Sequence, residues 1–319
     1  MGGSHDAPEC RGKVGAGQAA GLVAVLVLSH NKRDATLRCL ASLSRLRYRP
    51  LEIVVVDNGS SDGTADAIEV THAEVHVVRS GVNLGAAGGR NHGLRWIADR
   101  LSYEYVLFLD DDATVTESAL DTLVAALRAD PTIGLATPKA YRVGSPGVIA
   151  SAGGLRVRFA WASIADIGAG EVDRGQYDEP GDVDACAGFA VLARREALES
   201  VGGFDEAYNP YGWEEVDLSL RVRRAGYRIR YVPWAVVEHA GGTAGRGHKV
   251  PAYERRRFAN FVRLVRRHAS LLEWAALVVA LPIRLVQLAI GHARRGDWPM
   301  LWMNLAGLFD GRRSVDPRC

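Results

Sequence analysis

Four short apolar segments in the first half of the chain constrain its fold more than any other feature. They are rich in branched residues and apolar on both faces, and they cover residues 22–28, 51–57, 73–78 and 105–110. Strands of a parallel sheet that is covered on both sides have this composition. Stretches with helical leucine spacing or helix-capping starts separate them, at residues 33–46, 60–70, 88–101 and 116–130. This alternation predicts an α/β fold with a mainly parallel sheet flanked by helices.

The rest of the first 245 residues is less regular. Residues 141–185 are glycine-rich and poorly periodic, which predicts long loops or short irregular strands. A short strand and a helix that ends at Gly202–Gly203 follow, and then a helix with an acidic start and a basic end from residue 214. For the helix at 116–130 we predict Thr116 as the N-cap.

The composition excludes some classes of protein. With 48% hydrophobic residues, 24% charged residues and a net charge of +2, the chain is an ordinary globular protein and not a nucleic-acid-binding polycation. Its four cysteines form no CxxC pair and no metal-ligand spacing with histidine, and they are Cys10, Cys39, Cys186 and Cys319. We expect free thiols in a reducing compartment.

We divide the chain into three parts. Residues 1–20 are expected to form a flexible Gly/Ala-rich leader, and residues 21–245 the α/β domain. The apolar run at the junction could be mistaken for a signal peptide, but Asp6 and Glu9 precede it and no cleavage site follows. Residues 246–319 are predicted to form a basic, amphipathic helical tail.

The tail contains an apolar run at residues 271–290, flanked by arginines. Glu273, Pro282 and Arg284 interrupt this run, which argues against a membrane-spanning helix. Two alternatives remain: an amphipathic helix at a membrane surface, or a helical hairpin packed on the domain. The first would make the protein peripheral at the inner face of the cell membrane, and either agrees with a cytoplasmic location.

Polar residues collect where three of the predicted strands end. The segments SHNKRD, DNGSSDG and DDDAT follow the first, second and fourth strands. In sheets of this kind, ligands bind at the carboxyl ends of the strands. Each cluster alone could be a solvated loop, but three clusters at matching ends predict a shared site.

Three consecutive carboxylates, Asp110, Asp111 and Asp112, end the fourth of these strands. If the strand geometry continues, Asp110 and Asp112 point to one face and Asp111 to the other. Two carboxylates on one face form a hard-oxygen site for Mg²⁺ or Mn²⁺, cations that usually complete their shells with water and substrate phosphates. A divalent cation is therefore the predicted cofactor.

A series of ordered motifs along residues 22–242 resembles glycosyltransferase family 2, which has the Rossmann-like GT-A fold. These motifs are VLSHNKRDATLRCLASL, EIVVVDNGSSDGT, NLGAAGGRNHG, VLFLDDDA, CAGFAVLARREAL, VGGFDEAYNPYGWEEVDLSLRVRRAGYRIRYVP and VEHAGG. The compact domain with a basic tail is similar to bacterial rhamnosyltransferase-like members, which act on lipid-linked or cell-envelope intermediates. The resemblance implies an inverting, metal-dependent glycosyltransferase with a nucleoside-diphosphate sugar as donor.

The resemblance also implies roles for single residues. The residues that it places at the donor are Ser29, Asn31, Asp57, Asn83, Arg90, Asp110 and Asp111. The backbone around Ser29 and Asn31 would line the base pocket, and Asp57 would contact the nucleobase or ribose. Asp110 and Asp112, with His239 of the VEHAGG motif, would hold the metal against the diphosphate.

The catalytic base implied by the resemblance lies in the segment GWEEVDL. Family members have E-D-x-D or D-D-x-D here, and the second acid, the base, aligns with Glu215. It would take the proton from the acceptor hydroxyl as that oxygen attacks the anomeric carbon opposite the diphosphate. Because Glu215 departs from the commoner Asp, Glu214 and Asp217 stay open as alternatives on the acceptor side. Trp213 either stacks on an acceptor ring or is a core residue.

Two other functions remain open. A sugar nucleotidyltransferase uses a similar core and metal, but it has a glycine-rich loop after its first strand, and SHNKRD contains no glycine. A non-catalytic partner in glycan assembly would bind the nucleotide sugar without turnover. Uridine and thymidine donors fit equally well, as do glycan, lipid-linked and small-molecule acceptors.

Overall fold

The computed structural model describes residues 21–240, 251–295 and 298–313. The predicted leader at 1–20 and the boundary between domain and tail near residue 245 lie outside this part of the chain. The strands are β1 (Val23–Ser29), β2 (Leu51–Asp57), β3 (His76–Arg79), β4 (Tyr105–Asp110), β5 (Ala113–Val115), β6 (Ile133–Arg142), β7 (Ile149–Ala152), β8 (Leu155–Arg158), β9 (Ser163–Asp166), β10 (Gly181–Asp182), β11 (Ala190–Arg194) and β12 (Arg228–His239). The helices are α1 (Arg33–Leu43), α2 (Thr64–Thr71), α3 (Gly85–Arg100), α4 (Ala119–Ala129), α5 (Arg195–Val201), α6 (Glu214–Arg224), α7 (Pro251–His268), α8 (Leu271–Arg295) and α9 (Trp298–Arg313).

A mixed sheet forms the centre of the molecule. Its strands follow the order β10-β12-β6-β11-β4-β1-β2-β3, with β5 added to β12 and β7 to β6. The strands from β4 to β3 are parallel neighbours, whereas β11 runs antiparallel to β4. Apolar clusters cover both faces, one with side chains from α1 and α4 and the other with side chains from α3, α5 and α6. The predicted α/β architecture is confirmed.

The parallel register aligns the polar segments that follow the strands. Ser29 at the end of β1 lies opposite Asp57 at the end of β2, and Leu28 lies opposite Asp110 of β4. The amide of Asn58 donates to the Ser29 carbonyl at 2.8 Å and so extends the pairing by one residue. The segments after β1, β2 and β4 therefore meet at one edge of the sheet, as predicted.

Helix α3 lies close to the sheet because two of its glycines face the strands. A Cβ atom at Gly89 would lie 2.5 Å from Cδ1 of Leu28, and one at Gly93 would lie 2.5 Å from Cδ1 of Leu26. A larger side chain at either position would require the buried leucine side chains beneath the helix, or the helix itself, to shift. The close approach places Arg90, between the two glycines, at the end of β4.

One strand was not predicted from the sequence, and one N-cap prediction needs correction. Strand β6 lies in the middle of the sheet, but glycine, proline and lysine interrupt its sequence IGLATPKAYR, so its pattern did not indicate a strand. The Thr116 N-cap prediction was wrong, because α4 begins at Ala119 with Ser118 as its N-cap residue. The Thr116 hydroxyl instead donates to the carbonyl of Val236 at 3.1 Å. It therefore ties the start of α4 to β12.

The tail helices pack on the domain. Asn260 of α7 donates to the carbonyls of Tyr208 and Tyr211 at 2.7 and 2.9 Å, and the indole of Trp213 donates to the Arg257 carbonyl at 3.0 Å. Helix α8 packs against a 3₁₀ turn at Phe159–Trp161. The described part of the tail is therefore helical and contacts the domain on one side.

Helix α8 nevertheless has an open outer side. Among the described helices, the segment Leu271–Arg294 is the one that is long and apolar enough to cross a membrane, and only a small share of it is buried. The helix qualifies by its length and composition only, and core helices of soluble proteins can have the same length and composition.

The described cysteines are free thiols, as expected. Cys39 and Cys186 are free and buried. Burial raises the pKa of both thiols above their ordinary value, to about 12 for Cys186. Because the thiolate is the reactive form, both residues are inert at neutral pH. Cys10 and Cys319 lie outside the described residues.

Candidate active site

Two carboxylates and one imidazole converge at the carboxyl end of the sheet. Ligand atoms of Asp110, Asp112 and His239 all lie within 4.8 Å of one another, and the three residues are half-buried. Nε2 of His239 lies 3.2 Å from Oδ1 of Asp112 and 3.9 Å from Oδ2 of Asp110. Carboxylate oxygens with one imidazole nitrogen suit Mg²⁺ or Mn²⁺. The donor set therefore fits the predicted cation.

The sheet explains why His239 reaches the two aspartates. After Asp112 the chain forms β5, which pairs antiparallel with the end of β12, so that His239 lies opposite Ala113. The imidazole stacks on the ring of Phe189, with 4.9 Å between centroids. Backbone pairing and ring stacking therefore hold the imidazole in place without help from a cation.

Lys32 is part of this cluster, and the sequence analysis gave it no role. Its Nζ donates to Oδ1 of Asp111 at 2.9 Å and to Oδ2 of Asp112 at 3.0 Å. A signal was present, because SHNKRD directly follows β1 and β1 is the parallel neighbour of β4. Asp111 contacts Lys32 and lies outside the group of three possible metal ligands, as the alternation of strand side chains predicts.

Burial and neighbouring charges shift the pKa values of the two aspartates and the histidine in different directions. Burial raises the pKa of Asp111 to about 6, against the opposing charge of Lys32. Burial also opposes ionisation of Asp112, but the hydrogen bond from His239 and the charge of Lys32 together lower its pKa. Burial would lower the pKa of His239, yet its hydrogen bond to Asp112 and the charge of Asp110 raise it. Lys32 thus compensates part of the carboxylate charge, and the raised pKa of His239 favours its protonated form.

Arg90 connects the aspartate cluster to the start of α6. This buried side chain donates to Oδ1 of Asp110 at 2.9 Å and to Oε1 of Glu214 at 3.0 Å. Glu214 is also buried, and its other oxygen accepts the amide of Gly212 at 2.7 Å. Both Glu214 oxygens are therefore bonded within the protein, and its charge is matched by the guanidinium of Arg90.

Glu215 differs from Glu214 because it has no ion-pair partner within 4.0 Å among the described residues. Its side chain lies against Gly188, where a Cβ atom would be 3.2 Å from Cγ of Glu215. Glycine at position 188 therefore makes room for a glutamate, the longer of the two acidic residues. Burial, and next the charge of Glu214, raise the pKa of Glu215. Such a carboxyl group can exchange a proton near neutral pH.

The structure does not bring Asp217 to this site, although it was predicted on the acceptor side. Asp217 is fully buried and accepts from Arg221 at 2.6 Å and from Nε2 of His268 at 2.8 Å. Helical geometry turns this residue toward α7, two positions after Glu215. We correct its role to one that joins α6 to the tail.

Trp213, also predicted on the acceptor side, lies between the site and the tail. It adopts a left-handed backbone conformation with φ of 72° directly before α6. The guanidinium of Arg257 lies over its ring at 4.3 Å from the centroid, and the ring of Phe261 is at an edge-to-face distance of 6.4 Å. The indole is only partly covered by these contacts and lines a cavity.

The four remaining donor-site predictions fall in the loops that surround the strand ends. The hydroxyl of Ser29 bonds to that of Thr36 at 2.7 Å, and Asp57 accepts a backbone amide at 3.0 Å. Oδ1 of Asn31 accepts the amide of Ser61 at 2.7 Å, and Oδ1 of Asn83 accepts a backbone amide at 2.8 Å. The side chains thus shape the loops after β1, β2 and β3 into one polar rim beside the aspartates.

Comparison with known families gives two matches. The sequence model described as glycosyl transferase family 2 matches residues 24–202, more than half of the chain. A second model, described as the N-terminal domain of galactosyltransferase, matches residues 172–240. The two together span the sheet and the whole candidate site.

Individual proteins agree with this match. The pre-mycofactocin glycosyltransferase of Mycobacterium tuberculosis is 29% identical over 222 residues, which cover 68% of this chain and 42% of that protein. The N-acetylglucosaminyl-diphospho-decaprenol L-rhamnosyltransferase of the same organism is 29% identical over 251 residues, 70% of this chain and 77% of that protein. The aligned part of this chain thus spans less than half of the first relative.

A solved structure shares the fold. The crystal structure of GalNAc-T7 with UDP, GalNAc and Mn²⁺ has a TM-score of 0.61 and 22% sequence identity. The likeness covers 77% of this chain and 48% of that chain. It supports the GT-A architecture expected from the sequence motifs.

Proposed function

The chain belongs to glycosyl transferase family 2, and we propose that it is an inverting, metal-dependent glycosyltransferase. It would move a sugar from a nucleoside-diphosphate sugar of the UDP or dTDP type to an acceptor hydroxyl. One observation carries the proposal: Arg90 links a three-residue cation site to the helix start that bears the unpaired carboxyl group of Glu215. A donor diphosphate and an acceptor hydroxyl could therefore be held side by side.

Asp110, Asp112 and His239 would hold the cation, Mg²⁺ or Mn²⁺. The chemistry that a divalent cation supplies in such a site is neutralisation of the charge on the departing diphosphate. The presence of UDP and Mn²⁺ in the GalNAc-T7 structure supports this choice. Arg90 would add a permanent positive charge beside the same diphosphate.

The polar rim would bind the nucleoside half of the donor. Backbone around Ser29 and Asn31 would line the base pocket, and Asp57 would accept hydrogen bonds from the base or ribose. Asn83 would lie near the diphosphate, with Asp111 kept in place by Lys32. These roles agree with the position of all five residues at or beside the carboxyl ends of the strands.

Glu215 would be the catalytic base. Its carboxylate would accept the proton of the acceptor hydroxyl while that oxygen attacks the anomeric carbon from the side opposite the diphosphate. A single displacement of this kind inverts the configuration at that carbon. Glu214 is less suited, because both of its oxygens are already bonded to Arg90 and to Gly212.

For the acceptor, we propose a lipid-linked glycan intermediate of the cell envelope. The relative that is named for rhamnosyl transfer to N-acetylglucosaminyl-diphospho-decaprenol supports this choice. An enzyme with such an acceptor would work in the cytoplasm at the inner face of the membrane. Glycan and small-molecule acceptors are the alternatives.

Calorimetric titration with UDP, dTDP and GDP, each with and without Mn²⁺, tests the proposal. We expect one nucleotide to bind tightly, and only when Mn²⁺ is present. Hydrolysis or transfer of the matching nucleotide sugar should then be detectable as release of that nucleotide. If a folded sample binds no nucleotide, the transferase proposal fails. If it binds one but releases none from the sugar nucleotide, the chain is a non-catalytic partner.

The rate of transfer should rise with pH. Because burial and the charge of Glu214 raise the pKa of Glu215, the ionised form that accepts a proton accumulates only well above the ordinary glutamate pKa of about 4.3. A pH profile of kcat/KM would show this acidic limb. Glu214→Gln should move the limb to lower pH, because it removes one negative charge near Glu215 and frees part of the Arg90 charge. A limb that stays in place in that variant would contradict the assignment.

A further inference from the structure

The tail encloses an apolar cavity next to the start of α6. Its volume is about 400 Å³, and its walls come from α7, α8, α9 and the start of β9. Phe261, Leu281, Leu285 and Leu288 supply much of the apolar lining. A cavity of this size and composition is typical of a site for a largely apolar ligand.

Two guanidinium groups face this apolar cavity. Arg257 lies over the ring of Trp213, and its nearest described carboxylate, that of Glu254, is 4.0 Å away. Arg284 donates to the side chain of Gln287 at 3.0 Å and has no carboxylate within 4.0 Å among the described residues. Arg284 therefore has an uncompensated charge beside an apolar wall, and Arg257 has a single counter-ion at the limit of ion-pair distance. This arrangement favours an anion, and phosphate is the anion that guanidinium groups match best.

The cavity adjoins the start of α6, the helix that carries the candidate catalytic base. Trp213 forms part of its wall, and Glu215 follows two residues later on α6. A ligand in the cavity with a phosphate near Arg257 would therefore direct whatever is attached to that phosphate toward the start of α6.

The outer surface of α8 carries an exposed apolar stripe that indicates a membrane as the source of such a ligand. Five apolar residues recur at helical spacing on this surface with exposed fractions between 46% and 84%, and they are Leu272, Val279, Ile283, Val286 and Ile290. A stripe of this kind on a helix that also lines the cavity favours contact with the apolar part of a lipid bilayer.

We propose that the cavity binds the phosphate and the first isoprenoid units of a membrane-borne, lipid-linked acceptor, and that the α8 stripe rests on the bilayer that carries it. The isoprenoid chain would lie on Leu281, Leu285 and Leu288, and its phosphate would bond to Arg257 and Arg284. This inference rests on the proposed function, because it names the site for the acceptor of that reaction.

Binding of farnesyl diphosphate, measured by calorimetry in EDTA, tests the cavity. EDTA removes cations that could hold a diphosphate at the aspartate cluster. Farnesyl diphosphate should bind at least about tenfold more tightly than inorganic pyrophosphate or farnesol, because only it satisfies both the apolar wall and the arginines. Equal affinity for pyrophosphate would overturn the proposal in favour of a free-phosphate site, and equal affinity for farnesol would reduce it to an apolar groove.

Two variants and one control locate the site. Arg284→Gln and Leu285→Trp should each weaken farnesyl diphosphate about tenfold or more, the first by loss of charge and the second by filling the cavity. Arg294→Gln, an exposed arginine on the same helix outside the cavity lining, should leave the affinity unchanged. Melting curves check that the variants are folded. Unchanged affinity in both folded cavity variants would overturn the proposal.

Vesicles separate the membrane contact from the nucleotide site. The wild-type protein should sediment with vesicles of phosphatidylglycerol and phosphatidylcholine, and Ile283→Asp should reduce the bound fraction several-fold. No sedimentation of the wild type would overturn the membrane source of the acceptor. The nucleotide titration is independent of both tests, so a protein that binds farnesyl diphosphate but no nucleotide would refute the transferase function and keep the lipid site.

Discussion

Glu215→Gln is expected to lower the rate of sugar transfer by about 10²–10⁴-fold, the usual contribution of a general base. Glutamine keeps the shape of the side chain against Gly188 but cannot accept the acceptor proton. The affinity for the nucleotide with Mn²⁺ should stay close to that of the wild type, because Glu215 is not one of the three cation ligands. Release of nucleotide from the sugar nucleotide and calorimetry measure the two effects separately.

Glu214→Gln is the matched comparison for this experiment. It makes the same glutamate-to-glutamine change in the neighbouring acid. It should lower the rate far less, because Glu214 is bonded to Arg90 and to the backbone. Transfer at the wild-type rate in Glu215→Gln, or a larger loss in Glu214→Gln, would show that the base is assigned to the wrong residue.

Stability gives a further check on Glu215 that does not depend on activity. Its folded-state pKa is raised, so the stability that its proton contributes is complete below the unfolded pKa of about 4.3 and is lost as pH rises through the folded value. Glutamine is neutral at every pH. The free energy of unfolding of Glu215→Gln, relative to the wild type, should therefore increase from acidic to alkaline buffer.

The strands near the site could be predicted because strands that are buried on both faces consist of consecutive apolar residues. β1, β2 and β4 lie within a residue of their predicted positions, since both faces of a covered parallel strand are apolar. Strand β6 has Gly134, Pro138 and the buried Lys139 in it, and Lys139 is accommodated by ion pairs with distant aspartates. Such partners are a property of the tertiary structure and leave no local pattern.

In the candidate site, too, some residues could be identified from local sequence and others depend on tertiary contacts. The two aspartates and His239 could be named from motifs, but the contact of Lys32 with Asp112 depends on the register between β1 and β4. The three acids of the α6 start look alike in sequence. Their different surroundings come from residues far away in the chain: Arg90 on α3 for Glu214, and His268 on α7 for Asp217. Tertiary packing alone therefore distinguishes Glu215, which has no ion-pair partner among the described residues, from Glu214 and Asp217, which are paired with basic side chains.

Asp112→Asn is expected to remove Mn²⁺-dependent nucleotide binding, with a loss of affinity of about 100-fold or more, since even residues that only support metal ligands are worth 10–100-fold. The amide keeps the shape of the carboxylate but loses its charge, and Lys32 and His239 are left with one counter-ion fewer. We also expect a loss of stability of about 1–3 kcal/mol at neutral pH from the broken charged hydrogen bonds. Calorimetry with the nucleotide and Mn²⁺, and denaturant unfolding, measure the two effects.

The pH dependence of that destabilisation follows from the lowered pKa of Asp112. A carboxyl group whose folded-state pKa is depressed contributes stability above its unfolded pKa of about 3.9, and this contribution is lost as pH falls below that value. The difference in stability between wild type and Asp112→Asn should therefore shrink in strongly acidic buffer. A difference that stays constant would mean that the asparagine disturbs packing and not charge.

Asp111→Asn is the control for the loss of metal binding. Asp111 is adjacent in sequence and shares Lys32 with Asp112, but it lies outside the group of cation ligands. Burial raises its pKa to about 6, so the neutral amide imitates the protonated form that this side chain adopts below that pH. We expect the Mn²⁺ dependence of nucleotide binding to survive in Asp111→Asn, even where loss of this donor-side carboxylate lowers the affinity itself, and to disappear in Asp112→Asn. The opposite order would place the cation on the other face of the strand end, away from His239, and the assignment of the imidazole as a ligand would be lost with it.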